Sequence, residues 1–180
     1  MKYLVVSDIH GSKPAAEKIV ELMSNNQFDA CLCLGDILYH GPRNPLPVGH
    51  EPKVVAELMN EKNKKIIAVR GNCDSEVDQM VLKFPIMSNE NQLMLGNRRL
   101  FMTHGHLNMI DDLSFLNQGD LFLFGHTHIP MANYDNQLYL LNPGSMSLPK
   151  ENYPRSYGVL DEEGFKVFSF DGDLIKEITF

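Results

Sequence analysis

The chain has no surplus of positive charge. Its 16 lysines and arginines are outnumbered by 23 aspartates and glutamates, for a formal net charge of −7. A protein that coats phosphate backbones with cations needs the opposite balance, so long nucleic acid is not an expected partner. Cysteine is scarce and odd in number, at three. No disulfide framework is suggested, which fits a reducing compartment. Cys31 and Cys33 lie within "ACLCLGD", on one side of a predicted strand, the pattern of small buried apolar residues. No apolar run could span a bilayer. The one in "MKYLVVSDIHG" stops at Ser7 and Asp8, too short for a signal peptide. Repeats and low-complexity tracts are missing. What remains is an ordinary globular composition, 43% hydrophobic and 22% charged over 180 residues. It is expected to form one domain, residues 1–180, with a substantial core, in the cytoplasm and away from membranes.

Short apolar runs rich in β-branched and aromatic residues predict strands at 3–6, 30–34, 65–69, 98–103, 120–124, 137–141, 157–160 and 165–170. Helical spacing appears between the early runs. Ala15, Ala16, Ile19, Val20, Leu22 and Met23 share one face of a helix over 14–24, with Ser12 as N-cap. Val54, Val55, Leu58 and Met59 do the same over 52–61, and Pro52 suits a helix start. A weaker helical pattern covers Asp111 to Leu116. The first half therefore alternates strand and helix, while the second is mostly strand with tight turns at Gly96-Asn97 and Asp171-Gly172. An α/β domain is expected, its later part mixed or antiparallel. The stretch 38–49, with Pro42, Pro45 and Pro47, reads as ordered turn.

The informative feature lies at the ends of the strands. Five in succession run into "SDIH", "GD", "RGNCD", "THGH" and "GHTH". In open α/β sheets ligands bind beyond the carboxyl ends of strands, so these residues are expected to converge. Each motif alone is weak, because Asp, Asn and His are common turn formers; the ordered set is not. The donors are carboxylate, imidazole and amide oxygen, which suit Mn, Fe, Zn or Mg more than a structural thiolate zinc site. Seven such ligands are too many for one ion. With one bridging carboxylate they suit two ions roughly 3.5–4 Å apart.

In order and spacing, "DIHG", "GD", "GNCD", "HGH" and "GHTH" resemble the calcineurin-like metallophosphoesterases. With "HGPRN" and "NPGS", the chain is similar to the small bacterial YfcE-type phosphodiesterases of that superfamily over nearly its whole length. The resemblance implies a four-layer αββα sandwich of two mixed β-sheets flanked by helices. It implies a centre in which Asp8, His10, Asp36 and His128 hold one divalent ion. Asp36, Asn72, His104 and His126 would hold the other, with Asp36 bridging. Manganese is the foremost candidate, with iron, zinc, nickel or magnesium as alternatives. The implied reaction is hydrolysis of a small phosphodiester by hydroxide bound between the two ions. The competing reading is a binding scaffold of the same fold, like the retromer subunit; a nuclease ranks third for want of a basic strip. Whether the chain forms a homo-oligomer is open from sequence.

One position departs from the superfamily pattern. Cys73 stands where Gly-Asn-His-Asp carries the histidine thought to protonate the leaving oxygen, and Asp74 keeps the acidic place. Cys73 is read mainly as a small replacement that narrows substrates toward good leaving groups. Arg43, in "HGPRN", is a candidate phosphate contact, against a solvated arginine as the plain alternative. Arg70 is read as a structural ion pair at least as readily as a site residue. His106 has even claims to structure and site, and His40 and His50 are expected at the surface.

Overall fold

The computed structural model describes residues 1–107 and 113–180. The chain forms β1 (Lys2–Val6), α1 (Lys13–Ser24), β2 (Ala30–Cys33), α2 (Pro52–Glu61), β3 (Ile66–Ala68) and α3 (Glu76–Val81). The rest is strand: β4 (Glu90–Leu95), β5 (Arg98–Thr103), β6 (Leu121–Leu123), β7 (Met131–Asp135), β8 (Leu138–Asn142), β9 (Ser156–Asp161), β10 (Gly164–Ser169) and β11 (Leu174–Thr179).

They make two mixed sheets, ordered β11-β10-β9-β1-β2-β3 and β4-β5-β6-β8-β7. β1, β2 and β3 are mutually parallel, and so are β5, β6 and β8. Parallel neighbours need a long crossover; α1 and α2 supply two of them. Strand alternation builds the layers. Tyr3, Val5 and Leu32 point between the sheets, where Leu100, Met102, Leu121, Leu123 and Leu141 meet them. Leu4, Val6, Cys31 and Cys33 point outward, onto Ala15, Ala16, Ile19 and Met23 of α1 and Val55 and Met59 of α2. On the far face of the second sheet, Phe101, Phe122, Phe124 and Leu140 lie under Leu116 and Leu113. The result is the α/β sandwich of two mixed sheets that the family resemblance implies; α1 and α2 cover the first sheet, while among the described residues Leu113 and Leu116 cover the far face of the second.

Both early helices form where periodicity places them. Ser12 sits at the N-cap position of α1 but does not cap it; its Oγ donates instead to the Val48 carbonyl at 3.0 Å. The helix expected over 111–116 lies partly outside the described residues, and 113–116 form a turn closed by Leu116 N–H on the Leu113 carbonyl. Among the described residues no helix is long and apolar enough to cross a membrane.

Candidate metal centre

The parallel strands of both sheets end at one edge, and their C-terminal turns deliver the Asp, Asn and His residues of the five motifs. Asp8, after β1, places Oδ1 3.2 Å from Nε2 of His128 and 3.6 Å from Nε2 of His10. Those two Nε2 atoms are 3.3 Å apart. Asp36, after β2, places Oδ2 3.8 Å from Nε2 of His10 and 3.5 Å from Nε2 of His104. Asn72, after β3, brings Oδ1 to 3.1 Å from the same His104 nitrogen. The ligand atoms of Asp8, His10 and His128 all lie within 4.8 Å of one another, as do those of Asp8, Asp36 and His104. His126, after β6, is half-buried with its ring centroid 5.1 Å from that of His104.

The donors are aimed by their second contacts. Nδ1 of His10 donates to the Tyr39 carbonyl at 2.8 Å and Nδ1 of His104 to the Leu34 carbonyl at 2.6 Å; Nδ1 of His128 donates to the Leu148 carbonyl. A carbonyl can only accept, so Nδ1 carries the proton and Nε2 turns inward. Asp8 Oδ2 accepts from Ser7 Oγ at 2.7 Å and from His126 N–H at 3.2 Å. Its Oδ1 is buried beside the Nε2 atoms of His128 and His10, and with those nitrogens unprotonated it has no hydrogen-bond donor among the described residues. Leaving such an acceptor bare costs about 1–3 kcal/mol, and a cation among these nitrogens and oxygens would satisfy it. The residues present therefore fit the divalent metal that their donor types suggest.

The backbone here is held in an unfavourable shape. Asp8, His10, Asp36, His126 and His128 all have φ between 49° and 62°, a left-handed region that costs of order 1–3 kcal/mol per non-glycine residue and persists only where neighbours enforce it. Enforcement is visible. Ser145 Oγ and Ser147 Oγ both donate to the Asp8 carbonyl, at 3.0 and 2.8 Å. Asp74 accepts the backbone N–H groups of Asp36, Ile37 and Gly71, each at 2.8 Å, and so ties the Asp36 turn to the Asn72 turn. A β-carbon at Gly71 would collide with Oδ1 and N of Asp36, so only glycine allows this approach. Asn142, at the end of β8, donates Nδ2 to the Gly125 carbonyl at 2.9 Å and steadies the turn before His126.

The metal-free charges answer one another. Burial opposes ionisation of Asp8, but His10 and His128 outweigh it and hold its carboxyl well below the usual carboxylate range. Burial likewise opposes ionisation of Asp36, and His104 overcomes it. Burial works to discharge His104, but Asp36 and Asp8 push its pKa up to about 9. His126 is shifted down, first by burial and then by the charge on His104. Such opposed shifts in one cleft mark a functional site.

The remaining candidates fall around this cluster. Cys73 is half-buried; its Sγ accepts from Asn72 Nδ2 at 3.1 Å and lies within 4.8 Å of ligand atoms of His10 and Asp36. Burial first, then the Asp36 carboxylate, push the thiol pKa up. Arg43 is exposed, two residues beyond Gly41, where an added β-carbon would stand 3.0 Å from Cys73 Sγ. Arg70 donates Nε to the Asp74 carbonyl at 3.2 Å, a structural contact. His106 is half-buried, its ring centroid 5.3 Å from that of His104, and among the described residues its Nδ1 has no hydrogen-bond partner. His40 and His50 are not plain surface residues: both are half-buried, and Nδ1 of His50 bonds the His10 carbonyl. Asp74, Asn142, Ser145, Ser147 and His50 escaped the sequence reading as supports, because each acts on backbone groups that no motif displays.

Comparison with known proteins bears on family and fold. Residues 1–164 match the family model of the calcineurin-like phosphoesterase superfamily domain. The chain is 49% identical over 180 residues to phosphodiesterase YfcE of Escherichia coli K12, covering 99% of this chain and 98% of that one. A solved structure of Yfce, described as a phosphoesterase from E. coli, superposes with a TM-score of 0.96 at 48% identity, covering 99% of each chain. The fold is shared more distantly with Vacuolar Protein Sorting 29 from Cryptosporidium parvum, at a TM-score of 0.67 and 20% identity over 99% of this chain and 98% of that one.

Proposed function

The chain belongs to the calcineurin-like phosphoesterase superfamily, and on that premise we propose that it is a phosphodiesterase, a hydrolase of small phosphodiesters working at a two-metal centre. The observation that carries the reading is the convergence at one sheet edge of three inward-facing imidazoles on the two buried carboxylates Asp8 and Asp36. Asp8, His10, Asp36 and His128 would hold one ion. Asp36, Asn72, His104 and His126 would hold the other. Two divalent ions held there would supply a water of lowered pKa and charge to neutralise phosphoryl oxygens. Manganese is our choice for both, on the mixture of oxygen and imidazole donors.

The chain's own residues do the rest. The Tyr39, Leu34 and Leu148 carbonyls fix the tautomers of His10, His104 and His128. Asp74 keeps the Asp36 and Asn72 turns in register. Arg43 is assigned to a phosphate oxygen, as a fork of donors suited to it. Cys73 lines the cleft, and Asp74 is engaged with the backbone N–H groups of Asp36, Ile37 and Gly71 rather than with the thiol. That favours diesters with good leaving groups, because general acid help is worth roughly 10²–10⁴-fold when the leaving group is poor. The net charge of −7 argues for a small substrate over a long nucleic acid. The enzyme is placed in the cytoplasm, where its three free cysteines stay reduced.

The fold alone does not separate an enzyme from a scaffold, because function resides in the site, and a scaffold has no need of an intact donor set. The test is hydrolysis of bis(p-nitrophenyl) phosphate by protein loaded with Mn²⁺. Turnover supports the enzyme. No turnover with any of Mn²⁺, Co²⁺, Ni²⁺ or Mg²⁺ would overturn it.

A further inference from the structure

His10 is a candidate ligand in a backbone conformation that few side chains tolerate, with φ at 49°. Asp8 shares that difficulty, and two serine hydroxyls hold its carbonyl. The His10 carbonyl is held by something else. Nδ1 of His50 lies 3.0 Å from it, and because a carbonyl only accepts, His50 is the donor.

The approach is built rather than incidental. A β-carbon at Gly11 would stand 2.7 Å from Cε1 and 2.8 Å from Nδ1 of His50, and 2.5 Å from the Leu38 carbonyl oxygen, so glycine is what fits between the imidazole and that carbonyl. The two segments are also laced together. Ser12 and His50 form an antiparallel bridge. Glu51 N–H donates to the Gly11 carbonyl at 2.8 Å, Lys13 N–H to the Gly49 carbonyl at 2.9 Å, and Ser12 Oγ to the Val48 carbonyl at 3.0 Å. At the other end of the same loop, the Tyr39 carbonyl accepts from Nδ1 of His10 at 2.8 Å. One loop, 39–50, therefore grips His10 twice: by its ring through Tyr39 and by its backbone through His50.

We propose that His50 is a positioning residue for the metal centre, fixing the His10 backbone so that His10 Nε2 points at Asp8, Asp36 and His128. It rests on the two-metal reading of the site. His50 is not a ligand and touches no reacting atom. Its part is to make the ligand loop and the loop 39–50, which carries Arg43, a single rigid unit. A partner of this kind is worth about 10–100-fold in metal affinity.

The test is calorimetric titration of the full chain, stripped of metal by a chelator, with Mn²⁺ alone. In H50A one of the two binding steps should weaken about 10-fold or more, while the other stays within about threefold of wild type. H50N should recover most of the loss, because the asparagine side-chain nitrogen is two bonds from Cβ, as Nδ1 is. H50Q should not, because its nitrogen reaches one bond further. Unchanged binding by H50A would overturn the proposal. So would equal binding by H50N and H50Q, a comparison that decides the matter even if H50A fails to fold. Wild-type protein that takes up no more than one Mn²⁺ per chain would instead overturn the two-metal reading itself.

Discussion

The backbone N–H of Cys73 donates to Oδ1 of Asp36 at 2.7 Å. One oxygen of the carboxylate is thereby committed to the turn, and the other, Oδ2, stands between His10 and His104. In the two-metal reading proposed above, that oxygen is the bridge. Asp36→Asn would remove negative charge from between two dications and risks turning an NH₂ group toward the imidazoles. We expect kcat/KM on a nitrophenyl diester to fall by at least roughly 10²-fold, since changes to outer partners alone cost 10–100-fold. Near wild-type activity at limiting Mn²⁺ would contradict the bridge.

Asp74 makes a separate prediction. Its buried carboxylate accepts three backbone N–H groups from two turns. Asparagine in its place would present a donor where one of them needs an acceptor. A buried donor left unsatisfied costs about 1–3 kcal/mol. Asp74→Asn should therefore lower the thermal midpoint of the metal-free protein and weaken Mn²⁺ uptake. A midpoint equal to wild type would show that the turns do not depend on this carboxylate.

The candidate ligands were legible in the sequence because they follow a rule of topology: parallel strands deliver the residues beyond their ends to one edge. Asp8, Asp36, Asn72, His104 and His126 each lie within four residues of the end of such a strand, so their convergence could be expected from order, while the family resemblance supplied the ligand set. What was missed lacks that kind of signal. β4 and β7 are edge strands with half-exposed, polar sequences, and β11 alternates only weakly. α3 buries none of its residues, so it carries no apolar period. Its mark is local: Ser75 accepts from Asp78 N–H while the Asp78 carboxylate accepts from Ser75 N–H. His50 looked like a surface histidine because its partner is a carbonyl, and a carbonyl has no letter in a sequence.

The histidine charges predict a pH dependence. His104, ordinarily near 6.5, holds its proton up to about 9 in the metal-free fold. A raised pKa means that this group adds stability fully below pH 6.5 and loses it as pH climbs through about 9. A cation must displace the same proton. Uptake of Mn²⁺ at neutral pH should therefore release protons, and apparent affinity should rise with pH toward about 9. Calorimetry in two buffers of different ionisation enthalpy reads the proton count. Identical heats in both would contradict the protonated state of His104.

Cys73 lies against Gly41 and the Asn72 amide. Cys73→Ser should keep most activity on an activated nitrophenyl diester, because nothing in that reaction needs the thiol. Cys73→His should raise activity selectively on esters with alkoxide leaving groups, provided the turn at Gly41 gives way to the larger ring. The ratio of kcat on the two substrate types is the measurement. An inactive Cys73→Ser protein that still binds two Mn²⁺ would place the thiol in the chemistry.

The central claim is that one centre, with Asp36 common to both halves, holds two ions and that both are needed. Metal-free protein titrated with Mn²⁺, with bound metal and diester hydrolysis monitored on the same samples, tests it directly. The account predicts two Mn²⁺ per chain, with activity rising as the second site fills. Saturation at one ion per chain with full activity would contradict it.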